Sequence, residues 1–126
     1  ARGGGVIVNV IGLAGERPSK GYIAGSAGNA ALMALSRGMG GASLADGIRV
    51  VAVNPGLIAT ERMFVMLKGR AKDKFGDESR WEEMMPSDPP PGTPEQVADL
   101  VVYLASPRAG HVTGTVVTID GGQAHK

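Results

Sequence analysis

The chain has 126 residues, 43% hydrophobic and 20% charged, a length and balance typical of one globular domain and not of a disordered or fibrous protein. With 13 basic and 12 acidic side chains the net charge is +1, which argues against a nucleic-acid-binding surface. Cysteine is absent, which excludes disulfide frameworks, thiolate metal sites and cysteine nucleophiles. The apolar runs are too short to span a bilayer, so we expect a cytoplasmic protein without membrane partners.

The first predicted element is a strand over residues 6–11. This run reads VIVNVI and ends at Gly12, and such a nearly continuous β-branched run is typical of a strand buried on both faces of a parallel sheet. A helix rich in alanine, leucine and methionine is predicted over residues 22–37. Its apolar face is marked by Leu32, Leu35 and Met39. The glycines that follow residue 37 are predicted to end this helix.

A second buried strand is predicted over residues 48–53, where IRVVAV is closed by the turn NPG. Residues 61–85 then mix apolar and charged side chains, which predicts one or two amphipathic helices broken near Gly76.

A proline-rich connection over residues 86–94 leads to the last helix. Thr93 is its predicted N-cap, because a proline suits the first helical position and Gln96 stands three residues after the cap. The helix is predicted over residues 94–105, and a third strand over 115–119 is followed by DGG.

Strands that alternate with helices predict an α/β fold with a parallel sheet and right-handed crossovers. Three strands make a poor sheet on their own, and the run at 6–11 is too apolar for an open edge. The chain also begins without methionine and enters its first strand almost at once. We therefore expect further strands, from an N-terminal half of the same domain or from a partner chain.

Ligands of open parallel sheets bind beyond the carboxyl ends of the strands. In this sequence those ends carry Gly12, the turn NPG, and Asp120 with two glycines. Such glycines let a flat ligand lie against bare backbone, although each one alone also serves simply to turn the chain.

Three motifs carry a family resemblance: NPGLIAT at 54–60, PEQVADLVVYLAS at 94–106 and TGTVVTIDGG at 113–122. In this order and spacing they resemble the second half of a short-chain dehydrogenase/reductase (SDR). The resemblance implies a Rossmann-type, doubly wound, three-layer α/β fold, with residues 1–126 as the C-terminal half of one domain. It also implies NAD or NADP as the cofactor.

The resemblance implies cofactor contacts for four residues of the segment 54–60. Pro55 and Gly56 match the turn against the nicotinamide ring, and Ile58 matches the position whose backbone N–H meets the carboxamide. Thr60 matches a hydroxyl that binds the same group or the nearby phosphates. The alternative for Thr60 is an N-cap of the helix that starts near Glu61.

The family resembled here uses a serine, a tyrosine and a lysine for catalysis, and this sequence departs from that pattern. Alignment on the strand at 6–11 and on the segment AAL at 30–32 puts Gly12 at the serine position. It puts Gly25 at the tyrosine position and Asn29 at the lysine position, so all three side chains are replaced.

Two nearby residues are candidates to take over part of the chemistry. Tyr22 lies three residues before the tyrosine position and is a candidate proton donor; the alternative is a partly exposed loop tyrosine. Asn29 is a candidate to hold ribose hydroxyls; the alternative is a helix amide bonded to a neighbouring backbone group.

Two further segments carry expectations. Small residues give the helix at 22–37 a smooth surface, and the resemblance implies a dimer or tetramer through it; the alternative is close packing on its own sheet. Residues 61–92 are expected to form a lid-like helical segment over the substrate, or else ordinary helix core. Its apolar members include Met63, Phe64, Met66, Trp81, Met84 and Met85. His111 and His125 lack the spacing of a metal site.

The expected function is that of an oxidoreductase that transfers hydride between NAD(P) and a small alcohol or carbonyl substrate. The intact segment 54–60 favours this function. The replacements Gly12, Gly25 and Asn29 favour the alternative, a catalytically silent relative that binds nucleotide or acts as an oligomeric scaffold.

Overall fold

Three parallel strands form one sheet in the computed structural model, which describes residues 3–125. They are β1 (Gly5–Val10), β2 (Ile48–Pro55) and β3 (Val116–Ile119), in the order β1-β2-β3. Ile7 pairs with Val50, and Val53 pairs with Val117. The three predicted strands are therefore confirmed, with ends shifted by one or two residues.

The helices are α1 (Ile23–Ala42), α2 (Glu61–Phe75) and α3 (Pro94–Ala105). Short 3₁₀ segments complete the regular structure: Leu13–Gly15, Lys20–Tyr22, Ser43–Asp46, Glu78–Met84, Pro107–Ala109 and Gln123–His125. Among residues 3–125, no helix combines the length and the apolar character that a membrane crossing requires.

Helices cover both faces of the sheet. On one face Met33 of α1 is buried with Ala52, and on the other Leu104 of α3 is buried with Val51 and Val53. Successive residues of a strand face opposite sides, so β2 contributes to both cores and is buried along nearly all of its length. The result is a three-layer α/β arrangement, which confirms the predicted fold class.

Helix α3 is fixed at both ends by hydrogen bonds. At its start, Thr93 Oγ1 accepts from Gln96 N at 3.3 Å and Gln96 Oε1 accepts from Thr93 N at 2.9 Å, which confirms the predicted cap. At its end, the buried guanidinium of Arg49 donates to Leu104 O at 2.8 Å and to Ser106 O at 3.0 Å. Arg49 belongs to β2, so this contact ties the helix end to the central strand.

The predicted end of α1 was wrong, because the helix continues beyond residue 37 to Ala42. Gly40 lies inside it and packs on the backbone of Val50 and Gly114. A Cβ at Gly40 would come within 2.5 Å of Gly114 Cα, so only glycine permits this approach. Gly40 permits a tertiary contact that stabilises the helix at this point. The sequence pattern alone predicts the end of a helix here, because glycine has a low helix propensity.

The apolar face of α1 is turned away from the sheet. Leu32, Leu35 and Met39 are 39%, 49% and 43% exposed. The residues that α1 buries are Ser26, Met33, Ser36 and Gly40. Gly28 and Ala31 lie exposed beside the leucines. These small residues therefore do not pack against the sheet of their own chain.

Strand β1 is not buried on both faces, contrary to the prediction. Ile7 is 43% exposed and Val10 is 58% exposed. The physical reason is that β1 pairs only with β2 among the described residues, which leaves its outer edge open. The apolar sequence of the strand fits a more covered environment than the described residues provide.

Residues 61–92 form a helical segment whose two ends are held close together. Helix α2 ends at Gly76, whose φ of 73° is left-handed, which confirms the predicted break. The chain then folds back through Glu78–Met84, and Phe64 meets Trp81 edge to face at 5.3 Å between ring centroids. A parallel bridge between Ile58, just before the segment, and Gly92, at its end, joins the two ends.

Candidate functional site

The carboxyl ends of the three strands meet at one edge of the sheet. Ile11 N donates to Val53 O at 2.9 Å, so Gly12 leaves the sheet beside Asn54. Gly56 N donates to Ile119 O at 3.0 Å, so the turn after β2 lies beside Asp120. The glycine-bearing strand ends singled out in the sequence are therefore neighbours, as expected for a ligand-binding edge.

The turn after β2 is held by the end of the chain. Pro55 is the last residue of β2, and a Cβ on Gly56 would lie 2.7 Å from Asp120 Cβ, so this approach requires glycine. Leu57 N donates to Gln123 Oε1 at 3.2 Å. Sequence reasoning missed Gln123, although the DGG motif directly before it marked the segment.

Ile58 presents an unused backbone donor. Ala59 N donates to Gly92 O at 2.8 Å and Gly92 N donates to Leu57 O at 2.9 Å. Successive residues of an extended segment direct their peptide groups to opposite sides, so the N–H of Ile58 points away from Gly92. Within residues 3–125 this N–H has no hydrogen-bond acceptor.

Thr60 is the N-cap of α2. Its Oγ1 accepts from Met63 N at 3.3 Å, and the residue is exposed. The capping role considered from the sequence is thus present. The hydroxyl also lies near the backbone of Ile58, since Oγ1 donates to Ile58 O at 3.5 Å. Ile58 and Thr60 therefore face a common neighbourhood at the mouth of the turn.

Gly12, Gly25 and Asn29 come together beside this edge. Asn29 Nδ2 donates to Gly25 O at 2.8 Å, the backbone contact considered as its alternative role. A Cβ on Gly12 would lie 3.5 Å from Asn29 Oδ1, an ordinary van der Waals distance. The amide of Asn29 therefore spans the space between the end of β1 and the first turns of α1.

Tyr22 stands at the N-cap of α1 and is 47% exposed. Its ring lies directly over Gly25, in the space where a side chain at residue 25 would begin. The phenol therefore meets the cluster formed by Gly12, Gly25 and Asn29 at Gly25.

Two buried polar atoms near the site escaped sequence reasoning. Ser26 Oγ and Asn54 Oδ1 have no hydrogen-bond partner among the described residues, and the two residues are 5% and 0% exposed. Ser26 directly follows Gly25 on α1, and Asn54 lies at the exit of β2. No sequence signal distinguishes such atoms, because their isolation depends on packing.

Carboxyl pKa values are shifted in the segment 77–84. Hydrogen bonds from the side chain and backbone of Ser79 lower the pKa of Asp77 below its ordinary value of 3.8. A hydrogen bond from Arg80 lowers the pKa of Glu83 below its ordinary 4.5, and the two side chains form an ion pair. Both carboxyls lie in exposed chain between α2 and α3.

Comparison with known proteins identifies the family. A family model described as "Enoyl-(Acyl carrier protein) reductase" matches residues 1–124. A probable short-chain type dehydrogenase/reductase of Bradyrhizobium diazoefficiens is 39% identical over 125 residues, which cover 97% of this chain and 41% of that protein. This chain belongs to the short-chain dehydrogenase/reductase family.

Two further SDR relatives bear on sequence and structure. Galactitol 2-dehydrogenase (L-tagatose-forming) of Cereibacter sphaeroides is 35% identical over 97% of this chain and 46% of that protein. L-sorbose reductase from Gluconobacter frateurii, solved as a complex with NADPH and L-sorbose, superimposes with a TM-score of 0.86 at 30% identity. That match covers 99% of this chain and 49% of that chain. The chain spans about half the length of these SDR relatives.

The structure brings together the residues that the SDR resemblance places at the catalytic positions. Gly12, Gly25 and Asn29 are neighbours in space as well as in the motif. The SDR resemblance implies a serine, a tyrosine and a lysine at these positions, where this sequence has two glycines and a neutral amide. The phenol closest to the cluster is the ring of Tyr22.

Proposed function

We propose that the protein is an SDR-type oxidoreductase that interconverts an alcohol and a carbonyl compound with NAD or NADP. The observation that carries this proposal is the unpaired N–H of Ile58 at the ligand-binding edge of the sheet. Family membership and the three-layer fold support it, and so do the dehydrogenase and reductase relatives.

The segment 54–60 fits the nicotinamide end of the cofactor. The Ile58 N–H is free to donate to the carboxamide oxygen, and the Thr60 hydroxyl near it offers a second polar contact. Pro55 and Gly56 provide the small turn on which the ring lies. When bound, NAD(P)H supplies the hydride of the reaction.

Tyr22 and Asn29 are the proposed polar residues on the substrate and ribose side. The exposed phenol of Tyr22 is available to donate a proton to a carbonyl oxygen. Asn29 uses Nδ2 on Gly25 O, which leaves Oδ1 available to accept from a ribose hydroxyl.

The proposed organisation follows from two exposed surfaces. The open, apolar edge of β1 supports the proposal that residues 1–126 are the C-terminal half of one NAD(P)-binding domain. The exposed apolar residues Leu32, Leu35 and Met39 form the leucine face of α1, and this face supports assembly into a dimer or tetramer. Residues 61–92, pinned at Ile58 and Gly92, are the proposed lid over the substrate. The cytoplasmic location stays a prediction.

Nitrogen-15 NMR with nicotinamide mononucleotide tests the cofactor site. We expect the Ile58 amide signal to move downfield on binding, because its N–H gains an acceptor. The Ala59 amide is the internal control, since it is already bonded to Gly92 O. Binding that leaves Ile58 unmoved, or no binding at millimolar concentrations, would contradict the proposal.

The second candidate is a silent SDR relative that binds the nucleotide without turnover. It is favoured by the glycines at positions 12 and 25, neither of which can donate a proton. A panel of ketones and secondary alcohols with NADH, NADPH and their oxidised forms separates the two functions. Cofactor binding without hydride transfer to any member supports the silent relative.

A further inference from the structure

The aromatic ring of Tyr22 occupies the side-chain space of Gly25. A Cβ built on Gly25 would lie 2.6 Å from Tyr22 Cε2, with Cζ and Cε1 closer still. No side chain can share this space, because real Cβ atoms essentially never approach another heavy atom within 3.0 Å. The absence of a side chain at residue 25 is therefore a condition for the observed position of Tyr22.

The hydroxyl end of the ring, not its base, reaches Gly25. The three ring atoms nearest to the built Cβ are Cζ, Cε1 and Cε2, and Cζ bears the hydroxyl. Tyr22 starts three residues earlier, at the N-cap of α1, so its side chain lies along the first helical turn. The hydroxyl-bearing end of the Tyr22 ring therefore lies where the side chain of a tyrosine at residue 25 would begin, although Tyr22 is attached to the backbone three residues earlier.

We infer that Gly25 is the positioning residue for a relocated phenol: by leaving its side-chain space empty, Gly25 seats Tyr22, whose hydroxyl is the proton donor of the site. The inference rests on the proposed oxidoreductase function. It reinterprets Gly25 as half of a matched pair with Tyr22, where the family pattern alone reads it as a lost catalytic residue.

The proposed chemical step is the reduction of a carbonyl compound to an alcohol. Hydride from NAD(P)H adds to the carbonyl carbon, the C=O π electrons move to oxygen, and the Tyr22 O–H bond breaks as its proton passes to that oxygen. The products are the alcohol, NAD(P)⁺ and the Tyr22 phenolate. One H⁺ from the solvent then restores the phenol, so that the overall reaction converts the carbonyl compound, NAD(P)H and one H⁺ into the alcohol and NAD(P)⁺. Solvent has access to the side chain, because Tyr22 is 47% exposed.

Spectroscopy tests the pair independently of turnover. The chain has only two tyrosines, so Tyr103→Phe leaves Tyr22 as the single phenol. In that background, ¹³C-labelled tyrosine should give ring signals that shift when Gly25→Ala is added. Gly38→Ala is the matched control on the same helix, because a Cβ there has nothing within 4 Å. Unchanged Tyr22 signals in Gly25→Ala would overturn the inference.

A double-mutant cycle keeps the test decisive if the single variant folds poorly. Gly25→Ala should lower Tm in the presence of Tyr22, because the methyl group and the ring compete for one space. In a Tyr22→Ala background the same change should raise Tm, because alanine favours the helix over glycine. The same sign in both backgrounds would contradict the matched pair.

Kinetics then separate this inference from the proposed function. Tyr22→Phe and Gly25→Ala should each reduce kcat, by roughly 10²–10⁴-fold for loss of the proton donor, at unchanged affinity for nicotinamide nucleotide. Full turnover in Tyr22→Phe overturns the inference and leaves the oxidoreductase standing. Nucleotide binding without turnover in the parent protein refutes the proton-donor role together with the proposed reaction.

Discussion

Single residues in this protein act mainly through the space that they occupy or leave empty. Gly40 lets α1 touch the backbone of Gly114, and Gly56 lets the turn after β2 touch Asp120. Each contact joins elements that are far apart in the chain. Neither has a local sequence signal, because glycine in a helix or turn reads first as a break.

Gly40→Ala is expected to destabilise the fold. The added methyl group would meet the backbone of Val50 and Gly114, and overpacking of this kind costs about 1–3 kcal/mol. Gly41→Ala is the control, since its Cβ has nothing within 4 Å and alanine favours the helix by about 0.5–1 kcal/mol. Chemical denaturation measures both, and equal effects at the two positions would refute the close contact.

Thr60→Val is expected to have two effects. Loss of the cap on Met63 N should lower the free energy of unfolding by about 1 kcal/mol, and loss of the hydroxyl should weaken NAD(P) binding. Thr60→Ser keeps the hydroxyl and should preserve both properties. Denaturation and nucleotide titration decide the matter: if Thr60→Val loses stability at unchanged affinity, Thr60 is a cap alone.

At the scale of elements, the ends that carry capping chemistry were predictable. The sequence TPEQ contains the whole start of α3, because the cap, the first-turn proline and the returning glutamine are local. The break at Gly76 was predictable for a similar reason, since a left-handed residue favours glycine. The end of α1 was not, because a contact with Gly114 decides it.

Arg49→Met tests how the far end of α3 is held. The substitution keeps much of the side-chain volume but removes the donors to Leu104 O and Ser106 O. A buried acceptor left without a donor costs about 1–3 kcal/mol. We expect at least this loss in the free energy of unfolding, measured by urea denaturation. A loss near zero would show that water satisfies these carbonyls.

The turn at Asp77 should weaken in acid. Its carboxylate accepts from Ser79 Oγ at 2.8 Å and from Ser79 N at 2.9 Å, and these two bonds lower the pKa of Asp77 below 3.8. The stabilisation is therefore fully present above pH 3.8 and is lost as the pH falls through the lowered pKa. The Ser79 amide shift should titrate with a midpoint below 3.8. Asp77→Asn retains a capping oxygen and should abolish the titration; a midpoint above 3.8 would contradict the bond.

At the scale of the whole molecule, the leucine face of α1 is the proposed contact between subunits. Leu35→Glu places a charge on this half-exposed face and should weaken self-association at least 10-fold, by about 1.4 kcal/mol or more. Val65→Glu on α2 is the control, because Val65 is 71% exposed and lies outside that face. Sedimentation equilibrium measures both variants, and a monomeric parent protein would refute the assembly.

The layered architecture was predictable because hydrophobic period and chain order are properties of sequence. The strand-end site was predictable in outline, since parallel strands bring Gly12, Asn54 and Asp120 to one edge. The donor at Ile58 was implied only by the SDR resemblance, and its freedom depends on the bridge to Gly92. The packing of the Tyr22 ring in the side-chain space of Gly25 was not predictable, because it depends on the side-chain conformation of Tyr22.

The open side of β1 also dictates how the sheet can be extended. A further strand that continued the parallel order of the sheet would run in the same direction as β1, as β2 does. Parallel neighbours cannot be joined by a tight hairpin and need a crossover of about a dozen residues or more. A fused segment designed to extend the sheet in this parallel order must therefore carry a connection of helical length, whereas a separate polypeptide added in trans needs no connection.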